Sequence, residues 1–177
     1  LRAGLLSEER HFKRLADLVT RLWRTPGRKH QSLEESSFDA WIKLYRPGED
    51  SNNSSISYYL KGAVVVWAMD LELLARSQGK HGVDHLLGLL WERYASKGQP
   101  FPEEGCLRSL ATELSGGGAS WEAWWEHHIC GTEEVQLKEA LLHVGMDLQP
   151  VMGTGSWLGL EAGEDNVVRS VREDGPS

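Results

Sequence analysis

One apolar stretch, residues 57–76, decides the fold class, and it reads SYYLKGAVVVWAMDLELLAR. Taken alone, Val64 to Trp67 could be a buried strand. The full length of the stretch, which ends in helix formers before Gly79, instead favours a helix that is buried on most sides. The uninterrupted apolar run from Ala63 to Met69 is far shorter than the roughly 20 residues that span a bilayer. We therefore expect a helical core and no membrane partner.

Helical spacing of apolar residues continues on both sides of this stretch. We predict helices over residues 7–24 (with Ser7 as N-cap), 83–95 and 103–114, and two short helices that begin at Ser120 and Thr132. The polar, turn-rich residues 28–55 predict a long connection. Two short strands are predicted at residues 156–160 and 167–171. The expected fold is mainly α with a short β segment at the C-terminus, divided into residues 1–150 and 151–177.

Composition excludes several classes of protein. Among 177 residues, 26 acidic side chains outnumber 19 Lys and Arg, and a net charge of −7 argues against a nucleic-acid partner. Two cysteines, Cys106 and Cys130, are too few for a disulfide scaffold. The chain begins at Leu1 rather than Met, and we expect it to be a piece of a longer protein.

Metal-ligand and nucleophile motifs do not form a complete site. The chain lacks the His-Glu-x-x-His helix of zinc hydrolases. The nearest match combines His127 and His128 with Cys130, but adjacent helical side chains point about 100° apart, so partly exposed helix residues are the better interpretation. His81 and His85 have the spacing of a metal pair, yet a solvated helix end is more typical there. We therefore expect no metal ligands in this chain.

The segment Ile56-Ser57-Tyr58-Tyr59-Leu60-Lys61-Gly62-Ala63 brings two tyrosines to the start of the buried helix. The residues alone favour two core aromatics with hydrogen-bonded hydroxyls. The alternative is a phenol that faces a cleft. Such a phenol is protonated at neutral pH and can donate a hydrogen bond to an oxyanion, and the helix N-terminus would favour the same negative charge.

This segment, together with SSFDAWIKLYRP at residues 36–47, strongly resembles the glycyl-aminopeptidase family of zinc metallopeptidases. The family belongs to the gluzincins, whose thermolysin-like catalytic domain is often followed by a PDZ domain. The resemblance implies that residues 1–150 are the C-terminal helical part of the catalytic domain. It also implies that residues 151–177 begin a truncated PDZ-like domain, with Leu158, Gly159 and Leu160 at its carboxylate-binding loop.

The resemblance further implies a site residue and a cofactor. Tyr59 matches the tyrosine of a Tyr-x-Lys-Gly motif that stabilises the tetrahedral intermediate in related aminopeptidases, and Tyr58 is the alternative. In the full-length parent, zinc held by two His and a Glu would activate water for hydrolysis of a peptide substrate. Those ligands would lie upstream of Leu1. The chain alone is therefore expected to hold no zinc and to be inactive.

Two further expectations concern a rival function and the surface that a fragment would expose. The rival function is a non-catalytic helical interaction module with Trp121, Trp124 and Trp125 as its binding surface. A narrower form of this rival is a degenerate peptidase homologue that keeps the fold without the zinc ligands. Tryptophans spaced by 3 and 4 are more often core, so this rival is disfavoured. A fragment of a larger domain should also expose an apolar face, which self-association or the chain's own tail would cover. The truncated strands should be poorly ordered or paired with another chain.

Overall fold

The computed structural model describes residues 4–151 and 158–176, which form eight α-helices and one two-stranded sheet. The helices are α1 (Glu8–Trp23), α2 (Leu33–Phe38), α3 (Ser51–Ser54), α4 (Tyr58–Arg76), α5 (Val83–Arg93), α6 (Cys106–Ser115), α7 (Ala119–Trp125) and α8 (Leu137–Leu142), and the strands are β1 (Leu160–Ala162) and β2 (Val168–Val171). The prediction of a mainly α fold with a short C-terminal β segment is confirmed. No helix of the described residues is long and apolar enough to cross a membrane.

The two long N-terminal helices follow the sequence prediction closely. Helix α1 begins after Ser7, whose hydroxyl accepts a hydrogen bond from the backbone N–H of Arg10 at 3.4 Å. Helix α4 covers the apolar stretch, and Val65 and Leu73 are fully buried on it. Buried positions occur on most of the circumference of α4, as expected for a helix inside a core.

Residues 28–55 were predicted as one long connection, and this was wrong. They contain the end of a 3₁₀ turn (Pro26–Lys29), helix α2, a π-helical turn (Ala40–Leu44) and helix α3. Each element is only four to six residues long. Such pieces are too short to produce a hydrophobic period, and local caps and turns define them instead.

Three predicted helix starts are also corrected. Helix α6 begins after Gly105 and α7 after Gly118, which both have positive φ, at 71° and 90°. Helix α7 thus starts at Ala119, one residue before the predicted cap Ser120. Helix α8 starts at Leu137, well after the predicted cap Thr132. A glycine reaches this backbone region without steric cost, so it can end a loop where no side chain caps the helix.

The chain divides into two compact units. The first unit comprises residues 1–64, 129–133 and 152–177, so far as these are described, and the second comprises residues 65–128 and 134–151. In the second unit, Trp121 is fully buried and stacks on Trp124 with 5.2 Å between ring centroids. Its indole N–H donates to the hydroxyl of Thr112 at 3.0 Å. Trp124 and Trp125 pack against the same core. The prediction that these tryptophans are core residues is confirmed for Trp121, and Trp124 and Trp125 are half-buried against it.

The C-terminal strands belong to the first unit and pair with each other. Leu160 of β1 lies opposite Val171 of β2 in an antiparallel register. The hairpin is tied to Asn53, whose side-chain amide donates to the carbonyl of Val171 at 2.8 Å and accepts from the N–H of Glu173 at 3.0 Å. The strands therefore find partners within the chain, contrary to the expectation that they would need another chain. Residues 156 and 157 of the first predicted strand lie outside the described residues.

Candidate active site

The first turn of α4 presents two tyrosines with different environments. The side chain of Tyr59 is 62% exposed, whereas that of Tyr58 is half-buried. Their rings lie with centroids 4.1 Å apart at an angle of 31°. Because Tyr59 reaches the surface, the interpretation of both rings as core aromatics is wrong for this residue. Its hydroxyl is accessible to a ligand.

A third tyrosine approaches from the π-helical turn. The hydroxyl oxygen of Tyr45 lies 3.2 Å from that of Tyr59. The Tyr45 ring also packs against Trp41, with 5.1 Å between centroids. We call Tyr45, Tyr58 and Tyr59 the phenol cluster. It joins two segments separated by 14 residues in the sequence.

The phenols of this cluster shift each other's pKa in opposite directions. Hydrogen bonding from Tyr45, and then from Tyr58, lowers the pKa of Tyr59 below its ordinary value. The pKa of Tyr58 is raised, first by its interaction with the hydroxyl of Tyr59 and next by that with Tyr45. Donors around an oxygen stabilise its anionic form. Negative charge is thus better tolerated on Tyr59 than on Tyr58.

A buried polar network holds the backbone just before the tyrosines. The side-chain carbonyl of Gln31 accepts a hydrogen bond from the N–H of Ile56 at 3.0 Å. The hydroxyl of Ser36 donates to the carbonyl of Ile56. On the next turn, the buried amine of Lys61 donates to the main-chain carbonyl of Gln31 at 3.0 Å. Both polar groups of Ile56 are therefore satisfied, which fixes where α4 begins.

A close backbone contact at Gly27 also holds the segment before α4 in place. A Cβ atom at this position would overlap the carbonyl group of Ser55. Only glycine lets the 3₁₀ turn lie directly against the segment that leads into α4. The position of the first turn of α4 thus depends on contacts to both the 3₁₀ turn and α2.

The part of the chain that carries these contacts also has known relatives. Residues 1–65 match the family model of the M61 glycyl aminopeptidases. The matched range includes the whole phenol cluster and Lys61. The resemblance predicted from residues 36–47 and 56–62 is confirmed there, and this part of the chain is related to a peptidase family. No curated protein matches the chain at a significant level.

A solved structure shares the fold over nearly the whole chain. The aminopeptidase N family protein from Idiomarina loihiensis superimposes with a TM-score of 0.82 at 24% sequence identity. The match covers 98% of this chain and 32% of that protein. The chain therefore spans about a third of the length of this structural neighbour. At this level of identity, the match establishes the common fold.

The imidazole and thiol groups singled out in the sequence do not form a metal centre. Among residues 4–151 and 158–176, no three His, Cys, Asp or Glu side chains come together in a group that could hold a metal ion. His128 is buried, with its ring 5.0 Å from that of Trp124, whereas His127 is exposed. His85 accepts a hydrogen bond from the N–H of Gly82 at the start of α5. The described residues thus do not fit a zinc site.

The predicted carboxylate-binding loop lies at the start of the hairpin. Gly159 has a φ of 71°, and its carbonyl accepts a hydrogen bond from the N–H of Arg172 at 2.7 Å. Leu158 is exposed and Leu160 opens β1. These residues therefore lie at the open end of the hairpin, and the turn that joins β1 to β2 is at residues 163–167. Their role as a PDZ carboxylate loop remains a prediction, as does the division at residue 150.

Tyr45 and Gln31 were not found by sequence reasoning. Tyr45 does lie within the stretch that resembles the peptidase family, but nothing in its spacing indicates a contact with Tyr59. Gln31 lies in a polar segment that showed no period. Only the fold brings these residues to the start of α4.

Proposed function

We propose that this chain forms part of the catalytic domain of a zinc-dependent aminopeptidase, in which Tyr59 donates a hydrogen bond to the oxyanion formed during peptide hydrolysis. The observation that carries the proposal is the exposed Tyr59 hydroxyl on the first turn of α4, within hydrogen-bond distance of Tyr45. The match of residues 1–65 to a glycyl aminopeptidase family supports the reaction class.

The chemistry of the phenol suits this role. Attack on a peptide carbonyl moves negative charge onto its oxygen, and a donor placed there stabilises the transition state more than the substrate. A phenol is a neutral donor at physiological pH. Neighbouring donors that lower the pKa of Tyr59 also make its O–H a stronger hydrogen-bond donor. The N-terminus of α4 adds a favourable dipole for the same charge.

Tyr59 is a better candidate than Tyr58 for two reasons. Its side chain is exposed, whereas that of Tyr58 is half-buried beneath the neighbouring ring. The raised pKa of Tyr58, caused first by Tyr59, also indicates that its proton is engaged within the cluster. Tyr58 thus remains the alternative that a mutation can test.

In this proposal, this chain supplies the oxyanion donor and the rest of the parent protein supplies other parts of the site. We infer that the parent supplies the zinc ligands and the recognition of a peptide substrate with a free amino end. The hairpin would be the start of a PDZ-like domain. The isolated chain, whose described residues offer no ligand group for zinc, is then inactive.

The proposal is tested by Tyr59→Phe in the full-length protein. Loss of one oxyanion donor typically lowers kcat about 100- to 1,000-fold. We expect this loss in hydrolysis of an aminoacyl-p-nitroanilide, with zinc content by metal analysis unchanged. Tyr94→Phe, which removes a phenol oxygen in the second unit, is the matched control. Turnover equal to wild type would exclude Tyr59, and a comparable loss in Tyr58→Phe alone would move the role by one residue.

A second assay tests the reaction class. Acetylation of the substrate's amino group should abolish hydrolysis by the full-length protein if it is an aminopeptidase. A full-length protein that purifies without zinc and hydrolyses neither substrate would instead be the degenerate homologue.

A further inference from the structure

We propose that Tyr45 is a positioning residue for Tyr59, donating its hydroxyl hydrogen to the Tyr59 oxygen so that the hydrogen of Tyr59 is left for the substrate oxyanion. The proposal deepens the proposed function and rests on it. It assigns a role to a residue on the π-helical turn, which is separate from the helix that carries Tyr59.

The direction of one hydrogen bond decides whether Tyr59 can act. A phenol has a single hydrogen to donate and can accept through its lone pairs. With 3.2 Å between the two hydroxyl oxygens, either Tyr45 or Tyr59 is the donor. If Tyr59 donated to Tyr45, its hydrogen would be occupied. If Tyr45 donates, the hydrogen of Tyr59 is free to point toward a ligand.

Two phenols neighbour Tyr59, with the Tyr45 hydroxyl 3.2 Å from its oxygen and the Tyr58 ring centroid 4.1 Å from its own, and donation by Tyr45 agrees with the direction in which they shift its pKa. Both neighbouring phenols act on Tyr59 in the sense that stabilises its anion, with Tyr45 as the larger influence. As charge develops on a substrate oxygen, the Tyr59 O–H becomes polarised, and an incoming hydrogen bond from Tyr45 strengthens its donation cooperatively. The same bond restricts rotation of the Tyr59 hydroxyl, which lowers the entropic cost of aligning it.

The backbone, rather than the hydroxyl, sets the position of Tyr45. Its N–H donates to the carbonyl of Ala40 at 3.0 Å, which closes the π-helical turn, and Ala40 is buried. The Tyr45 ring packs on Trp41. Replacing Tyr45 by Phe therefore keeps the ring and the turn and removes only the oxygen. This makes Tyr45→Phe a clean probe of the hydrogen bond.

The first arm of the test measures the phenols directly. The chain contains four tyrosines, whose ¹³Cζ resonances can be followed by NMR titration and assigned with single Tyr→Phe variants. We expect Tyr59 to ionise at lower pH than Tyr58, and its midpoint to move to higher pH in Tyr45→Phe. Tyr94→Phe should leave the midpoint unchanged. A midpoint of Tyr59 that does not respond to loss of the Tyr45 oxygen overturns the proposal.

The second arm is a double-mutant cycle in the full-length protein. Tyr45→Phe should lower kcat by about 3- to 10-fold, the range that one neutral hydrogen bond gives, with KM and zinc content unchanged. In a Tyr59→Phe background it should cause no further loss, because the residue that it positions is gone. Equal losses in both backgrounds overturn the positioning role.

The two proposals fail in different ways. If Tyr59→Phe retains wild-type kcat, the proposed function of Tyr59 fails and the catalytic role of Tyr45 fails with it. If Tyr59→Phe loses activity but Tyr45→Phe acts additively, only the positioning role is overturned.

Discussion

At the scale of single residues, the Tyr-x-Lys-Gly segment divides its side chains between two faces of α4. Two positions along a helix correspond to a rotation of about 200°, so Tyr59 and Lys61 must point in nearly opposite directions. Accordingly, Lys61 is only 2% exposed while Tyr59 reaches the surface. The Lys61 amine donates to the Gln31 carbonyl and fixes the helix, whereas the Tyr59 side chain stays exposed.

Lys61→Met should destabilise the chain substantially. It removes a charged donor and leaves the buried Gln31 carbonyl without that hydrogen bond. A bond of this kind contributes about 2 kcal/mol, so we expect a decrease of that size in the free energy of unfolding, measured in urea. Lys13→Met, at an exposed ion pair with Asp17, is the control and should change it by less than about 0.5 kcal/mol. Equal effects of the two substitutions would contradict this role of Lys61.

The sequence pointed to Tyr59 and Tyr58 as candidate site residues, but not to Tyr45 and Gln31, which contact the start of α4. Two adjacent tyrosines at a helix start stand out because the helix itself is marked by its apolar run. Tyr45 and Gln31 contact that helix across 14 to 30 residues of chain. Contacts over such separations leave no periodic pattern, and only the folded backbone reveals them.

At the scale of elements, the short helix α2 depends on its cap. Six residues are too few for a stable helix on their own. The Ser32 hydroxyl accepts from the N–H of Glu35, and the Glu35 carboxylate accepts from the N–H of Ser32, forming a capping box. Helix α2 carries Ser36, and its cap follows Gln31, so it supports the backbone before the tyrosines.

Ser32→Ala should therefore destabilise both the start of α2 and the backbone that leads into α4. Loss of a serine N-cap costs about 1 kcal/mol, and we expect a decrease of this size in the free energy of unfolding. Ser37→Ala, on the exposed side of the same helix, is the matched control. Hydrogen exchange should also speed up at Ile56, whose N–H bonds to Gln31 next to the cap. If both variants behave alike, the capping box does not support α2.

The length of an element decided whether the sequence could predict it. Helices α1, α4 and α5 span several turns, and their apolar period identified them. The elements between residues 28 and 55 complete one or two turns each, so their local caps were hidden among other polar residues. The starts of α6 and α7 depend on glycines with positive φ, whose conformation is a property of the folded loop.

At the scale of the whole molecule, the chain exposes large apolar side chains in its first unit. Phe38, Trp41 and Ile42 are 88%, 78% and 70% exposed. They follow one another at the end of α2 and in the π-helical turn, next to the phenol cluster. The C-terminal hairpin and the residues after it contact His30 and Asn53 rather than these apolar side chains. Clustered exposed apolar side chains of this kind mark interaction surfaces.

We expect the isolated chain to self-associate through this surface. The double substitution Phe38→Ser with Trp41→Ser should shift the chain toward monomer in sedimentation equilibrium, because it removes the two most exposed aromatic side chains of this surface. Val151→Ser, at a position exposed in the second unit, should leave the association unchanged. A wild-type chain that is monomeric at every concentration would show that another surface, or none, is used.

The hydrogen bond between Lys61 and Gln31 also affects the order in which the chain can fold during its synthesis. As a ribosome releases the chain, residue 31 emerges 30 residues before its partner. The first turn of α4 cannot be locked until that loop has closed, and loop closure precedes any benefit from the contacts it permits. Synthesis can thus complete α1 early, whereas Tyr59 reaches its final position only once the nascent chain extends past residue 61.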